Sequence, residues 1–339
     1  MIRVAIVGAG RWGPNLVRNF HNGKTSVVSW VADLDEKRLQ AIEGRYTDLS
    51  CTTDLNVAIR DPDVDAVVIA TPASTHYELT KAVLDAKKHV LVEKPIATNS
   101  RHARELTERA AQAKRVLMVG HVFVYNSAVT RIKRILDDGE LGRVYYIAMV
   151  RTNLGPIRMD VNAAWDLATH DISVANYWLG GMPLTASAVG GTWINSGIED
   201  AVFATLRYPS NVLVNLHASW LSPRKSRDMT VIADRKMLSF DDLNLVEPIR
   251  IYDKQVTDER MRPNIMDTAS YRASVREGDI VIPRVNVAEP LKAECDHFLE
   301  CVRDSKAPST GGLEGGNVVR VLEAMERSVQ NGGCEVNVE

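Results

Sequence analysis

The sequence predicts an α/β protein. An N-terminal doubly wound parallel sheet is followed by a C-terminal α+β domain on a largely antiparallel, open sheet. Three observations carry this. The apolar runs "RVAIVG", "SVVSWVA", "DAVVIAT", "HVLVE" and "RVLMVG" are strand-length and do not alternate, so they suit strands buried on both faces. Helical patterns such as "STHYELTKAVLDAKK" and "SRHARELTERAAQAK" separate them, as crossovers between parallel strands require. Beyond His121 the strand-like runs alternate and meet at hairpin signals. At 339 residues two cores are expected, and the division falls at 1–121 and 122–339.

In chain order, "RVAIVG" leads into a glycine-rich turn and a helix, and "SVVSWVA" ends at Asp33 before the helical "DEKRLQAIEG". "DAVVIAT" ends at Thr71-Pro72 and opens the helix that carries His76. "HVLVE" ends at Glu93-Lys94-Pro95, and Ser100 is placed to cap the next helix. After "RVLMVG" comes one long helix, "NSAVTRIKRILDDGELG", closed by a glycine turn. The strands "RVYYIAMVRT", "TASAVGGTW", "AVFATLRYPSNVLVNLHASW", "DMTVIAD" and "KMLSFDD" follow, interrupted by the helix "NAAWDLATHDISVANYWLGG". "YPSN" reads as a hairpin turn, proline and asparagine supplying the geometry. Residues 254–290 are polar and poorly periodic and receive no firm structure. Two amphipathic helices, around 290–303 and 316–331, end the chain.

The composition is that of a soluble globular protein, 45% hydrophobic and 25% charged with a net charge of −2. That balance argues against a nucleic-acid partner, which needs a basic surface. No apolar run reaches the ~18 residues of a membrane span, and the start lacks the pattern of a signal peptide. Four cysteines are too few for a disulfide scaffold, so a cytoplasmic location is expected. "ECDHFLEC" resembles a metal cluster only superficially. Leu291, Cys295, Phe298, Leu299 and Val302 share one helical face, which makes Cys295 a core residue and directs His297 elsewhere, so no metal is expected.

"VAIVGAGRWGPN" holds Gly8, Gly10 and Gly13 as G-x-G-x-x-G between a strand and a helix, with Arg11 and Trp12 inside it. This is the pattern of a Rossmann dinucleotide site: a tight turn, a close approach for pyrophosphate, and close helix–strand packing. Asp33 lies at the distance expected of the acid that binds the adenosine ribose, the alternative being that it merely caps the following helix. An acid there repels a 2′-phosphate, so NAD is favoured over NADP, with Arg38 close enough to soften that preference.

Ligands of such sheets bind beyond the carboxyl ends of the strands. Thr71, Pro72, Glu93 and Lys94 lie at such ends, and with His76 they complete the expected cofactor contacts. Lys94 is either a solvated strand-end lysine or a catalytic one. In "AAWDLATHDIS", Asp166 and His170 are four apart, so a continuous helix presents both on one face. The pair is either an ordinary polar i,i+4 contact or an aspartate steadying an acid/base histidine. Asp171 is assigned a structural role.

Together "VAIVGAGRWG", "IATPASTHYELTKAVLDAKKHVLVEKPIA" and "DLATHDI" resemble the glucose–fructose oxidoreductase, inositol dehydrogenase and rhizopine-catabolism (Gfo/Idh/MocA) family. The E-K-P motif followed by a distant D-x-x-x-H is the more specific part, and a weaker likeness runs to "EPLKAECDHFLECV". The resemblance implies nicotinamide bound by the first domain, subunit contacts through the open sheet, and catalytic roles for Lys94, Asp166 and His170. It also implies a cis bond before Pro95. On this basis a secondary alcohol of a sugar loses hydride to nicotinamide while His170, steadied by Asp166, takes the hydroxyl proton. Lys94 either hydrogen-bonds the reacting oxygen or is itself the base.

"VRTNLGPIRMDVNAAWD" supplies Arg151, Arg158 and Asn162, and arginines near a sugar site suit an anionic group. This segment is similar to family members acting on nucleotide-linked sugars, notably UDP-linked N-acetylhexosamine uronate 3-dehydrogenases. The expected substrate is accordingly a nucleotide-linked sugar, with a free sugar or inositol as the alternative. Tyr125 and Asn126 are candidate substrate contacts alongside Lys94, Arg158, Asn162 and His170. A homodimer or homotetramer is expected to cover the open sheet. A non-catalytic nicotinamide sensor can use the same fold, but it needs none of Lys94, Asp166 and His170.

Overall fold

A computed structural model describes residues 1–194, 196–257 and 274–339. The chain divides into two compact units. The first comprises Met1–Asn126, Ile172–Asn176 and Ala288–Glu323, and the second Ser127–Asp171, Tyr177–Val287 and Ala324–Glu339.

The first unit alternates strand and helix: β1 (Ile2–Val7), α1 (Gly13–His21), β2 (Ser26–Ala32), α2 (Glu36–Glu43), β3 (Ser50–Thr52), α3 (Leu55–Arg60) and β4 (Ala66–Ile69). Then follow α4 (His76–Asp85), β5 (His89–Glu93), α5 (Ser100–Ala113) and β6 (Leu117–Gly120). The six strands are parallel in the order β3-β2-β1-β4-β5-β6. The order reverses between β1 and β4, which opens a crevice at their carboxyl ends. Val4, Ala5, Ile6 and Val7 are all at 0% exposure, so both faces of β1 are covered, as its unbroken apolar run predicts.

The starts of α2, α3 and α5 are capped by short acids and an amide. Asp35 and Asp54 accept the N–H of Lys37 and Asn56 at 3.0 and 2.9 Å. At α5 the cap is Asn99, accepting from His102 N–H at 2.9 Å, rather than the predicted Ser100. Asn99 has the extended backbone a cap needs, whereas Ser100 is already helical and donates its N–H to Glu323 at 2.9 Å.

After β6 the chain continues with α6 (Ser127–Asp137), β7 (Val144–Leu154), a π-helical turn at Ala164–Ala168, α7 (Thr169–Leu179), β8 (Thr185–Gly191), β9 (Ala201–Arg207) and β10 (Leu213–Ser219). It continues with β11 (Leu221–Ala233), β12 (Met237–Asp241), β13 (Ile249–Thr257) and β14 (Ser274–Val281). α8 (Pro290–Asp304) and the first part of α9 (Gly312–Gln330) belong to the first unit, and β15 (Val336–Asn337) to the second. Nine strands form a mixed, mostly antiparallel sheet, β14-β13-β12-β11-β7-β10-β9-β8-β15, in which β7 and β10 run parallel. On β10, Val214, Leu216 and Ala218 are buried while Asn215 and His217 face outward. Exposed Phe203 stacks on His217 at 4.4 Å on that outer face. The "YPSN" hairpin is present, with Ser210 and Asn211 at φ of 60° and 59° between β9 and β10.

Two further differences from the sequence expectation have physical causes. Within 254–290, assigned no firm structure, residues 258–273 lie outside the described residues, and the chain on either side forms the end of β13 and all of β14. These lie at the sheet edge, where Ile280 and Val281 stay half exposed and no strong apolar pattern is required. As expected, α8 carries Cys295 and Phe298 into the core around Leu16, Phe20 and Met118, Phe298 meeting Phe20 edge-on at 6.2 Å. α9 starts at Gly312, four residues before its predicted start, because its glycines are needed for contact: a Cβ on Gly315 would lie 2.6 Å from Val119 Cγ2. No helix among the described residues is long and apolar enough to cross a membrane.

Candidate functional site

The glycine loop after β1 is shaped by its own backbone. Gly8 has φ +105°, and a Cβ there would sit 2.6 Å from Ala70 O. A Cβ on Gly13 would sit 2.1 Å from Gly8 O. Gly10 is different, its nearest neighbour being Arg38 Nη1 at 3.7 Å. The outer two glycines are thus demanded by packing within the chain, while the middle one leaves a gap for a ligand to approach the backbone. α1 begins with Trp12 at its cap, no capping side chain and no acidic residue in its first turn. Its positive end remains available to phosphate. Arg11 and Trp12 are exposed beside it.

Asp33 closes the loop from the end of β2. Its carboxylate accepts Ala9 N–H at 2.6 Å and Asp35 N–H at 2.9 Å, with Arg38 Nη1 3.5 Å away. The cap of α2 is Asp35, so Asp33 is released from that role and faces the turn where a ribose diol would lie. The glycine gap, the uncapped helix end and this acid fit a dinucleotide.

At the ends of β4 and β5 the structure separates ligand-facing from supporting residues. Thr71 and Thr75 hydroxyls pair at 2.7 Å. His76, expected as a cofactor contact, is 1% exposed and places Nδ1 2.7 Å from Pro95 O and Nε2 2.9 Å from Thr71 O. It fastens two strand-end turns instead of facing a ligand. Burial lowers its pKa more than the two carbonyls raise it, and a neutral ring can donate to only one of them. Pro72 begins the turn between the two threonines, its carbonyl accepting Thr75 Oγ1–H at 2.8 Å.

Glu93 packs its carboxyl over Gly120, where a Cβ would come within 3.1 Å of it. The carboxyl accepts Lys94 N–H at 3.3 Å and the indole N–H of Trp12. Burial pushes it to about 7 against the pull of Lys94. Lys94 is half-buried, and its bond to Pro95 is cis. His121, just past β6, was not anticipated. It is enclosed, neither ring nitrogen has a hydrogen-bond partner among the described residues, and burial with the Lys94 charge holds it at about 3. The only sequence signal was a histidine inside the apolar run "LMVGHVFVY".

Tyr125 differs from expectation. Its hydroxyl turns into the first unit, 2.9 Å from Thr310 Oγ1, and its ring packs on His297 at 5.4 Å. A tyrosine engaged this way is a core residue with a satisfied tip. Asn126 ends the same turn, donating its N–H to Phe123 O at 3.1 Å.

In the second unit, the π turn runs directly into α7 and carries Asp166 to His170 along one continuous helix. Such turns often mark functional sites. Asp166 accepts the indole N–H of buried Trp220 at 3.1 Å and lies 3.3 Å from Arg158 Nη1. Trp220 is a second unanticipated contributor. Arg158, expected to bind an anionic group, is engaged by Asp160 at 2.9 and 2.6 Å as well as by Asp166, and these acids raise its pKa. Asn162 caps the π turn through Trp165 N–H at 3.1 Å and donates to Glu199 at 2.8 Å. With Glu199 and Glu326 it lines a cavity of about 280 Å³. Arg151 is a structural residue, buried and bonded twice to Asp171 at 2.9 and 2.7 Å because it points inward from β7. His170 is half-buried.

The "ECDHFLEC" segment is α8. Cys295 is in the core, and His297 Nε2 accepts Ser309 N–H at 3.0 Å.

Two family models match the chain: the Oxidoreductase family, NAD-binding Rossmann fold, over residues 2–121, and the GFO/IDH/MocA C-terminal domain over residues 129–239. UDP-N-acetylglucosamine 3-dehydrogenase of Acidithiobacillus ferrooxidans is 24% identical over 319 residues, 94% of each chain. Myo-inositol 2-dehydrogenase of Thermotoga maritima is 25% identical over 62% of this chain and 66% of its own, just under two thirds of that relative. Among solved structures, GenD2 from gentamicin A biosynthesis, in complex with NAD, superposes with a TM-score of 0.82 at 23% identity, covering 100% of this chain and 96% of that one. At that identity the likeness is one of fold.

Proposed function

The chain belongs to the Gfo/Idh/MocA family of oxidoreductases, and from that premise we propose that it oxidises a secondary hydroxyl of a sugar with NAD, the sugar being nucleotide-linked and the carbon its 3-position. The observation that carries the dehydrogenase reading is the Glu93-Lys94-Pro95 turn, held at the end of β5 with Glu93 bonded to Trp12 of the glycine loop. The nucleotide-sugar choice is supported by similarity to the Acidithiobacillus enzyme along 94% of both chains.

The cofactor, when bound, accepts the hydride. The chain's residues handle the proton and the alcohol. His170 takes the hydroxyl proton, Asp166 holds the first turn of that helix through Trp220, and Lys94 donates to the reacting oxygen. A second reading, a free cyclic polyol as substrate, is favoured by one observation. Arg158 is already neutralised by Asp160 and Asp166, which weakens it as a diphosphate ligand. The outward Phe203 and the half-exposed Tyr146 support a homodimer or homotetramer covering the sheet.

The test is a panel of UDP-N-acetylglucosamine, its uronate, free sugars and inositols with NAD, read by the absorbance of reduced nicotinamide. Turnover of a UDP-sugar alone supports the leading reading, and turnover of free polyols alone favours the second. No turnover on any of them, with NAD still bound tightly, would sink both.

A further inference from the structure

The amino ends of a parallel sheet lie opposite the edge that binds its usual ligands. There α3, α4 and α5 turn back into β4, β5 and β6. With Ile2 and the last turn of α8, these turns line a cavity of about 1030 Å³. Its lining holds five cationic side chains, Arg60, Lys87, Lys88, Arg115 and Arg303, and two carboxylates, Asp65 and Asp85. Part of this charge is already engaged. Lys88 is buried, with Nζ donating to Asp61 O at 2.6 Å and Val64 O at 2.5 Å, and Arg115 Nε donates to Lys87 O at 2.5 Å. These two do what cations at helix ends ordinarily do, closing the last carbonyls. Arg303 is bonded to Asp304 at 2.7 and 3.1 Å. The acids are engaged as well: Asp65 accepts Arg3 N–H at 2.8 Å, and Asp85 accepts from Arg109 at 3.0 Å. Asp61 holds the Trp30 indole N–H at 2.6 Å and Asp63 N–H at 2.8 Å, and Asp63 itself does not line the cavity. What is left over is positive. The side chains of Arg60 and Lys87 make no hydrogen bond or ion pair among the described residues, and Arg115 keeps Nη2.

We propose that this cavity is a second binding site, for a phosphorylated small molecule, whose phosphate is held by Arg60, Lys87 and Arg115 and whose uncharged body lies on Ile59, Val64 and Val302. Guanidinium forks and an ammonium are the donors that suit a phosphate dianion. A single carboxylate would leave most of their charge unanswered. His89 adds a neutral donor. Its Nδ1 accepts Val116 N–H at 3.0 Å, so the ring proton sits on Nε2, and burial with the Arg115 charge keeps the ring neutral by holding it at about 4. The volume decides between a bare ion and a larger ligand. Pockets of ~300–1,000 Å³ enclose whole organic ligands, and inorganic phosphate would leave the apolar wall bare. A net charge of −2 offers no broad basic face for a nucleic acid or a membrane, so the positive charge is local to this cavity. The site is also separate from the cofactor loop. Ile2 lines the cavity and Gly8 opens the loop, and six residues of strand at about 3.3 Å each set them roughly 20 Å apart. An occupant therefore does not compete with the dinucleotide, and the site does not depend on which sugar is oxidised.

The experiment is calorimetric titration of the full chain, with and without saturating NAD⁺, using phenyl phosphate, inorganic phosphate and phenol as probes. The expected result is saturable binding of phenyl phosphate, unchanged by NAD⁺, about 10-fold tighter than inorganic phosphate, with phenol inert. Arg60→Gln and Lys87→Gln should each weaken phenyl phosphate about 10-fold, the usual scale for a hydrogen bond to a charged group. Both side chains are exposed, so melting temperature and NAD affinity should stay at the wild-type values. Three wild-type results would overturn the site without any variant: no saturable binding of phenyl phosphate, equal binding of inorganic phosphate, or displacement of phenyl phosphate by NAD⁺. Unchanged affinity in both variants would overturn it too. Each of these leaves the dehydrogenase reading standing, because that reading is decided by turnover of the sugar panel.

Discussion

Arg151→Leu isolates a buried charge whose cost can be worked out from its surroundings. Arg151 and Asp171 are 4% and 2% exposed and share two hydrogen bonds at 2.9 and 2.7 Å. For Asp171 the desolvation exceeds the attraction of Arg151, so its pKa is raised despite the bonded guanidinium. The pair is therefore a poor net stabiliser, yet breaking it should be expensive. Removing one partner of such a pair costs roughly 3–5 kcal/mol, while replacing both with apolar residues is near neutral. At roughly 2–4 °C per kcal/mol for a domain of this size, Arg151→Leu should lower the melting temperature by about 10 °C. The assay is thermal unfolding of the wild type, Arg151→Leu, Asp171→Leu and the double variant as a cycle. The pH dependence has a definite sign. Asp171 has a folded value above its ordinary 3.8, so the stability tied to its proton is present below 3.8 and lost as pH rises through the folded value. Without Arg151 that loss deepens, so the gap to wild type should narrow in acid. A single variant losing less than about 1 kcal/mol, or a double variant falling by the sum of the singles, would refute the reasoning.

Gly13→Ala should cost NAD affinity by about 10-fold or more and lower the melting temperature, since its Cβ would stand 2.1 Å from Gly8 O; a cofactor titration and a melt check both. Asp33→Ala should weaken NAD and narrow the preference over NADP, because Arg38 lies 3.5 Å from the carboxylate it replaces; paired dissociation constants test this. Trp220→Phe deletes the indole N–H that holds Asp166 at 3.1 Å. It should lower kcat about 10-fold with KM nearly unchanged, on the usual scale for acid/base groups. Lys94→Ala and His170→Ala should each abolish turnover while NAD affinity stays within a few-fold, and a near-normal rate in either would remove that residue from the chemistry.

The parallel sheet was readable because burial on both faces leaves an unbroken apolar run, as in Val4–Val7. The cofactor loop was readable for a steric reason: at Gly8 and Gly13 only hydrogen fits, so the residue type is itself a record of the contact. What could not be read is the destination of polar side chains. His76, Tyr125, Arg151 and Arg158 were themselves read as candidate cofactor or substrate contacts. Their partners, Pro95 O, Thr310, Asp171 and the Asp160–Asp166 pair, are chosen by tertiary packing.

The converse holds for the contributors that were missed. His121 sits in an apolar run, Trp220 continues the inward alternation of Val214, Leu216 and Ala218, and Glu294 lies on a helix face otherwise filled by Leu291, Cys295 and Phe298. In each place the sequence pattern argues for core, and core is where they are. Trp220 nonetheless donates its indole N–H to Asp166 at 3.1 Å, and the charges of Lys94 and Glu93 bear on the His121 and Glu294 side chains. A polar residue in a core-patterned position must find a partner or carry a desolvation cost of roughly 1–3 kcal/mol. Trp220 has its partner. His121 and Glu294 have none among the described residues, and both lie behind the E-K-P turn. In this chain the informative polar residues are therefore those the periodicity says should have been apolar, more than those that stand near a motif.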